Sequence, residues 1–508
     1  MINKFKESLL DKNIFSVTWE LVPGRGAHEK PQEDAVASAR RASQGGIIHA
    51  LTITDNPGGR PAMSATYLGL EILKLGIEPL VHFTCKDKNR NQIESELYAM
   101  DRAGIRNLLV MTGDYPTTGF KGRPKPVFDL DSVHVLELAA NMNKGLEVSE
   151  TKGAFNHKPS VFFAGGVVSP FKATEAEQLG QYYKLKKKID QGANFIVTQL
   201  GFDARKFHEV LQFIKGYSPD MPVIGNIYIL PYGTARMMNS NQLPGCVVPD
   251  KLLAELDQER AAEDKGVKAR LLRAAKMYAF MKGMGFDGVH IGGHNIKYEQ
   301  VQYIIEQGEE LSADWMKFLP EFDFPQPKGF YFYEKDPDTG LNTAEPVNRS
   351  NLPADSVPGF NYRLMSFMHQ IFFTPDKNLY PMMSRFYRGV KDPKKHSLEH
   401  LLKVAANNCQ DCGDCALLDI AYLCPMSQCP KNQRNGACGG SYNGWCEVYP
   451  HEKQCIWVKA YSNLKAYNRE GELDRLYLPP VNWDLYQTSA WYNYYTGRDH
   501  SAPTKPSR

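Results

Sequence analysis

Cysteine is scarce over most of this chain. Two of its ten cysteines lie in the first 408 residues, and the other eight fall between Cys409 and Cys455. A strong excess of one charge is also missing. The net charge is +3 over 508 residues and no long basic run occurs, which argues against nucleic acid or an anionic membrane as partner. No uninterrupted apolar stretch is long enough to span a bilayer. The opening residues, MINKFKESLLDKNIFSVTWE, interrupt their apolar positions with charge and carry neither the apolar core nor the small-residue cleavage site of a signal peptide. A cytoplasmic protein is expected, and there clustered cysteines serve as metal ligands more often than as disulfides. No internal repeat or low-complexity tract is present. With 42% hydrophobic and 23% charged residues, the chain reads as globular, with length for two or three domains or one large domain and an extension.

Eight short apolar, β-branched runs are present: 14–21, 46–54, 78–85, 106–113, 160–168, 193–200, 221–230 and 286–293. Helical patterns fill most of the gaps, as in 30–44 and 175–191, the second followed by Gly192 as a helix stop. Several strands are preceded by a glycine-bearing helix end (SQGGI, KLGIEP, DRAGIRN, DQGANF, KGMGFDG). Eight repeated βα units predict an α/β fold, a closed (β/α)8 barrel. An open doubly wound sheet is the alternative. It calls for a Gly-rich phosphate loop after the first strand, and Pro23-Gly24-Arg25-Gly26 does not fit that fingerprint.

In a barrel, chemistry belongs at the C-terminal strand ends. Those ends carry Glu20, Thr54-Asp55, His82, Thr84, Gly113-Asp114, Gln199, Tyr228 and His290. Any one of them is explained by loop solvation; their convergence on one rim suggests a site. In FSVTWELVP, Phe15, Val17, Trp19 and Leu21 share one face and Ser16, Thr18 and Glu20 the other, so Glu20 is predicted to enter the lumen. Burial there predicts a raised pKa, as a general acid requires.

The motifs WELVPG, HFTC, MTGDYP and KKKIDQGANFIVTQ, in this order along residues 10–295, resemble the methylenetetrahydrofolate reductase family. The resemblance implies a flavin-bearing (β/α)8 barrel, an oxidoreductase acting on a CH–NH bond that reduces methylenetetrahydrofolate to methyltetrahydrofolate by hydride transfer in one-carbon metabolism. It implies that Glu20 is the general acid, that Asp114 lies between flavin and pterin, and that Gln199 bonds the pterin. Thr54, His82, Thr112, Gly113, Asp114, Lys187 and Lys188 match positions that hold the flavin, while the lysine-rich KLKKK run also fits a solvated helix face. The chain departs from the family pattern at Gly24, at Gly166-Val167-Val168-Ser169-Pro170, at Gln181 and Lys184, and at Gly292-Gly293-His294. FAD, with FMN as the alternative, and NADH or NADPH against a protein electron donor therefore stay open.

The eight clustered cysteines are spaced C-x2-C-x2-C-x8-C-x4-C-x8-C-x7-C-x8-C: Cys409, Cys412, Cys415, Cys424, Cys429, Cys438, Cys446 and Cys455. The tight triple and the two Cys-Pro steps favour two [4Fe-4S] clusters, with two zinc sites as the alternative and disulfides as a third. Gly436, Gly439, Gly440 and Gly444 are expected to let backbone N–H groups approach the sulfurs. Spacing alone does not assign cysteines to centres. The run resembles the cysteine-rich domain found with this reductase family in some bacteria and on the partner subunit of its acetogenic form, which implies an electron-transfer or structural role.

The expected division is a barrel (1–300), a Pro- and aromatic-rich connector packed on it (301–400), and a cysteine-rich domain with an aromatic tail that covers the chain's own surface (401–508). The expected function is flavin-dependent folate reduction. A folate-dependent methyltransferase or demethylase on the same barrel, and a non-catalytic electron-relay subunit, are the alternatives. Expected partners are the folate, an electron-donor protein such as ferredoxin or a flavoprotein subunit, and further subunits in a homo- or hetero-oligomer.

Overall fold

The eight apolar runs become the eight staves of a barrel. In the computed structural model, which describes residues 2–502 apart from 151–152, 353–356, 376 and 378, the strands are β1 (Ser16–Leu21), β2 (Ala50–Ile53), β3 (Glu78–Thr84), β4 (Asn107–Met111), β7 (Phe163–Val168), β8 (Phe195–Thr198), β9 (Val223–Tyr228) and β10 (Gly288–Gly292). A short antiparallel hairpin, β5 (Glu147–Glu150) with β6 (Gly153–Asn156), interrupts the series and was not expected. Residues 503–508 of the expected C-terminal domain lie outside the described residues. Barrel neighbours pair in parallel, and β1 pairs with both β2 and β10, closing the ring in the order β1-β10-β9-β8-β7-β4-β3-β2.

The pleat sorts the residues. Val17, Trp19 and Leu21 point outward into the main core, under the helices. Ser16 and Thr18 point inward and are buried. At the floor of the lumen, Leu80, Leu109, Phe163, Phe195 and Ile224 pack with Phe5 and Leu9 of α1 (Lys4–Leu10). The Phe5 ring meets Phe163 and Phe195 edge-on at 6.0 and 5.6 Å. The floor is thus an apolar plug, and polar lumen residues collect at the opposite mouth.

The outer ring consists of α2 (Lys30–Gly45), α3 (Ala65–Lys74), α4 (Arg90–Ala103), α5 (Ser132–Lys144), α6 (Glu175–Asp190), α7 (Ala204–Tyr217), α8 (Tyr232–Asn239), α9 (Asp250–Glu259), α10 (Val267–Met284) and α11 (Tyr298–Leu311). A hairpin, β11 (Tyr333–Lys335) with β12 (Asn342–Pro346), docks on α7 through Arg205, which donates to Asn342 Oδ1 and the Tyr333 carbonyl, both at 2.9 Å. Then come α12 (Phe360–Met368), α13 (Tyr380–Arg388) and α14 (Ser397–Asn407). The cysteine region has little regular structure beyond α15 (Pro425–Gln428), α16 (Ile456–Lys465) and α17 (Glu472–Arg475); α18 (Ala490–Thr496) ends the tail. Tail aromatics cover the chain's own surface. Tyr477 OH donates to Glu137, Trp483 Nε1 to Asp129 at 2.9 Å, and the Tyr495 ring stacks on Tyr387 at 5.2 Å.

α6 is unlike a solvated amphipathic helix. One side packs on the barrel, where Tyr182 OH donates to Glu209 at 2.7 Å. The other is covered by α16, from which Tyr461 OH donates to Glu175 at 2.6 Å and Lys465 pairs with the same carboxylate. Lys184, Lys187 and Lys188 are 2, 5 and 6% exposed, so the solvated reading of these lysines does not hold. Among the described residues, no helix is long and apolar enough to cross a membrane.

Candidate active site

A cavity of about 320 Å³ opens at the C-terminal ends of the strands. Of the residues singled out in the sequence, Glu20, Thr54, His82, Thr112, Gly113, Asp114, Lys188 and Gln199 all line it. Lys187 does not. Its ammonium reaches the Asn435 carbonyl at 3.4 Å and lies 5.8 Å from the Trp457 ring, both in the cysteine region. Asp114 is exposed at the rim and accepts the Gly58 N–H at 2.7 Å. Gln199 bonds the next residue's N–H, at Leu200, at 2.9 Å. Gly113 has φ +85°, and a Cβ there would stand 2.9 Å from the Thr84 Cβ, so the turn after β4 demands glycine.

Five buried polar atoms around the cavity have no hydrogen-bond partner: Thr54 Oγ1, His82 Nε2, Ser169 Oγ, Gln181 Nε2 and Asn226 Oδ1. Each such atom costs about 1–3 kcal/mol unless a ligand meets it. A flat heterocycle rich in N and O atoms, such as a flavin or a pterin, fits that requirement. Lys188 supplies a buried cation on the same wall; its ammonium donates to the Val167 carbonyl at 2.5 Å, and burial pulls its pKa down to about 7.

Glu20 stands where the β1 alternation puts it, with His82 and His290 around it. The ligand atoms of the three lie within 4.8 Å of one another. The expected rise in the Glu20 pKa does not occur. Burial pushes it up, but contact with His290 and the charge of the flanking imidazoles outweigh burial, and the net direction is downward. Burial drops His82 to about 4, which leaves it neutral near neutral pH. His290 Nε2 lies 3.9 Å from the Glu20 carboxylate, and its Nδ1 is 3.0 Å from Thr18 Oγ1.

The cysteine region supplies the rest of the wall, which the strand-end argument had no means of finding. Lys431, Ala437, Cys438, Gly439, Gly440 and Glu447 all line the cavity. Lys431 donates to the Gly113 carbonyl at 2.8 Å and forms a buried ion pair with Glu447, to which the Cys438 thiol also donates, at 3.2 Å. Lys172 donates to the carbonyls of Gly439 and Ser441 at 2.5 and 2.7 Å. Gln433 Oε1 accepts from Thr112 Oγ1 at 3.1 Å and Lys184 Nζ at 2.7 Å, and Lys184 also reaches the Gly436 carbonyl at 3.2 Å. The glycines serve this contact. A Cβ on Gly436, at φ +132°, would lie 2.8 Å from the Lys184 Cβ, and the Gly444 N–H goes to Glu177 at 3.0 Å.

All ten cysteines are free thiols, and the clustered eight divide in sequence order. Cys409, Cys412, Cys415 and Cys424 surround one small cavity of about 20 Å³, and Cys429, Cys438, Cys446 and Cys455 another of the same size. Burial raises the Cys412 thiol to about 12 and Cys455 likewise, so as bare thiols they stay protonated; a metal would convert them to thiolates. Among the described residues, the groups of three or more ligand atoms lying mutually within 4.8 Å are Glu20–His82–His290 and His396–His400–Asp411, and no three cysteine sulfurs form one. α15 alone separates Cys424 of the first cage from Cys429 of the second.

A family model described as "Methylenetetrahydrofolate reductase" matches residues 4–307, and another described as "Methylene-tetrahydrofolate reductase C terminal" matches residues 389–484. Methylenetetrahydrofolate reductase 2 of Schizosaccharomyces pombe is 25% identical over 258 residues, 49% of this chain and 38% of that protein. Methylenetetrahydrofolate reductase (NADH) 1 of Arabidopsis thaliana is 27% identical over 242 residues, 46% of this chain and 38% of that protein. The alignments thus span under two fifths of these relatives' length. The solved structure of a Clostridium thermocellum protein, described as binding two copies of 5-methyl-5,6,7,8-tetrahydrofolic acid, overlays with a TM-score of 0.42 at 13% identity, covering 61% of this chain and 99% of that one.

Proposed function

The chain belongs to the methylenetetrahydrofolate reductase family, and from that premise we propose that it reduces 5,10-methylenetetrahydrofolate to 5-methyltetrahydrofolate at a flavin in the barrel mouth, with electrons arriving through the eight-cysteine module. The observation that carries this reading is the set of orphaned polar atoms lining, with Glu20, one cavity of ring-system size. When bound, the flavin supplies the hydride. The chain's own residues do the rest. Thr54, His82 and Gln181 meet ring heteroatoms, Gln199 turns to the pterin, and Lys188 meets a phosphate. Asp114 places a carboxylate at the rim, where negative charge disfavours an anionic reduced ring and so makes it a stronger donor. Glu20 protonates the folate amine so that the C–N bond breaks and the five-membered ring opens to the iminium, and His290, held by Thr18, passes Glu20 a replacement proton from solvent. A pterin lying over Glu20 excludes water and moves its carboxyl toward the protonated form.

The module narrows the choice of flavin. Thr112, Lys184 and Lys187 are engaged by Gln433, the Gly436 carbonyl and the Asn435 carbonyl. Lys188, bonded within the barrel to the Val167 carbonyl, is the lysine of this wall that the module leaves alone, which favours the mononucleotide, FMN, over FAD. The sequence spacing, a tight C-x2-C-x2-C triple with two Cys-Pro steps, favours iron–sulfur over zinc. Cys424 and Cys429 flank the four-residue α15, and a rise of about 1.5 Å for each of the five steps between them sets the two roughly 8 Å apart along the chain, short enough for two centres to act as a relay. The division into a barrel (1–300), connector (301–400) and cysteine module (401–508) belongs to the same proposal.

The test is anaerobic purification followed by mass identification of the released cofactor, then photoreduction and mixing with methylenetetrahydrofolate. One FMN per chain is expected, reoxidised with formation of an equal amount of methyltetrahydrofolate. FAD in its place would correct the cofactor. A chain that holds neither flavin, or whose reduced flavin ignores the folate, would overturn the function.

A further inference from the structure

The helices leading into the first cysteine cage carry apolar side chains on their outer surface. α14 exposes Leu398, Leu401 and Leu402 at 71, 64 and 51%, and α13 exposes Met382 and Phe386 at 56 and 63%. These positions are spaced i, i+3 and i+4, so each forms a stripe along its helix. The other faces are the ones already packed. On α14, Glu399 accepts from Ser489 Oγ at 2.5 Å and the Trp491 N–H at 3.2 Å, and Lys403 lies over the Trp491 ring. On α13, Tyr387 stacks on Tyr495. Both helices therefore rest on the α18 segment with apolar stripes turned to solvent, the mark of a surface that another molecule covers.

Two further observations identify the kind of molecule. The rim is basic: Arg385, Arg388, Lys391, Lys394 and Lys395 are all exposed, with Asp392 among them. The inner side of α14, through Glu399, Lys403 and Asn407, is a wall of the cage formed by Cys409, Cys412, Cys415 and Cys424. The leucine stripe thus lies about one helix diameter, roughly 10 Å, from those thiols. The second cage is turned the other way, with Cys438 on the barrel cavity.

We propose that this face docks a small acidic one-electron carrier protein, which feeds the first cage. The proposal rests on the relay reading above. A second copy of the chain fits less well, because a two-fold contact sets a patch against itself and would face this basic rim with its own charges. Each encounter moves one electron: the carrier is oxidised by one and the centre in the first cage is reduced by one. Two encounters, with two protons from solvent, supply what one methylenetetrahydrofolate takes in becoming one methyltetrahydrofolate.

The experiment uses the full, iron-loaded chain and a purified acidic ferredoxin as probe. It measures equilibrium binding, and separately the rate at which reduced ferredoxin bleaches the chain's visible absorption, at low and high salt. Leu401→Glu and the double variant Lys394→Glu/Lys395→Glu should each weaken binding and slow bleaching about tenfold or more. Reduction by dithionite and the circular dichroism spectrum should stay unchanged, which shows the variants are folded. Binding and bleaching indifferent to both variants would overturn the docking face while leaving the relay intact. A wild-type dimer that Leu401→Glu dissociates, with ferredoxin binding unaltered, would assign the face to a second copy and also overturn it. A chain that loads zinc and no iron would remove the relay itself, and the proposal with it.

Discussion

At the scale of single residues, the site turns on two groups whose charge is set by their surroundings. Glu20 is held toward its ionised form by His290. If it delivers the proton, Glu20→Gln should leave flavin content and photoreduction nearly intact and cut folate turnover by about 10²-fold or more, read by single-turnover absorbance. Lys188 is the second group. Burial has brought its pKa to about 7, so it is a cation below that pH and neutral above it. If Lys188 holds the FMN phosphate, binding needs the cation. Affinity should therefore be greatest below pH 7 and fall by up to about tenfold per pH unit above it. Fluorescence titration of flavin-free protein checks this. Riboflavin, which lacks the phosphate, should show no such slope, and Lys188→Met should flatten the FMN profile.

At the scale of elements, α6 is the joint between barrel and module. Glu175 is its most committed residue, buried at 7% exposure and bonded to Tyr461, Lys465 and, at 3.7 Å, Arg349. Glu175→Ala strands a lysine and a tyrosine in the interior and should cost about 3 kcal/mol, seen as a lower denaturation midpoint with chain fragments from the α16 region released early in proteolysis. This joint also marks where the sequence ceased to be legible. All eight barrel strands could be read, because a strand buried on both faces is a short apolar run whatever surrounds it. Glu20 could be placed by alternation alone. The lysines of α6 could not, because a buried polar helix face and a solvated one look alike until the covering element is known. The same limit hid Lys431, Gln433 and Glu447, which lie more than 300 residues from the strand end Gly113 that they touch or face, and it inverted the expected pKa of Glu20, since His290 arrives on β10, beside β1 in the ring but at the other end of the barrel sequence. The hairpin β5–β6 escaped notice for a different reason: every described side chain of β6 is exposed, so it leaves no apolar signal.

At the scale of the whole molecule, the metal centres decide whether the module conducts or only clamps. Anaerobically prepared protein should contain about eight irons, two four-iron centres, and negligible zinc. Cys412→Ser should halve the iron and abolish reduction by the protein donor, while folate reduction by photoreduced flavin survives; zinc in place of iron would leave the module a clamp. Removing all metal should do more than break the circuit, and the segment 429–447 says why. It carries Cys429, Cys438 and Cys446 of the second cage, together with Lys431, Gly439 and Glu447, which form the lid of the active cavity. If the second cage holds a cluster, one stretch of chain is both wire and door. Oxygen that destroys the second centre would unhinge that lid in the same event, exposing any bound flavin to water. Such an enzyme behaves like a fuse: under oxidising conditions it would lose cofactor and substrate together instead of spilling electrons from an open, still reducing site.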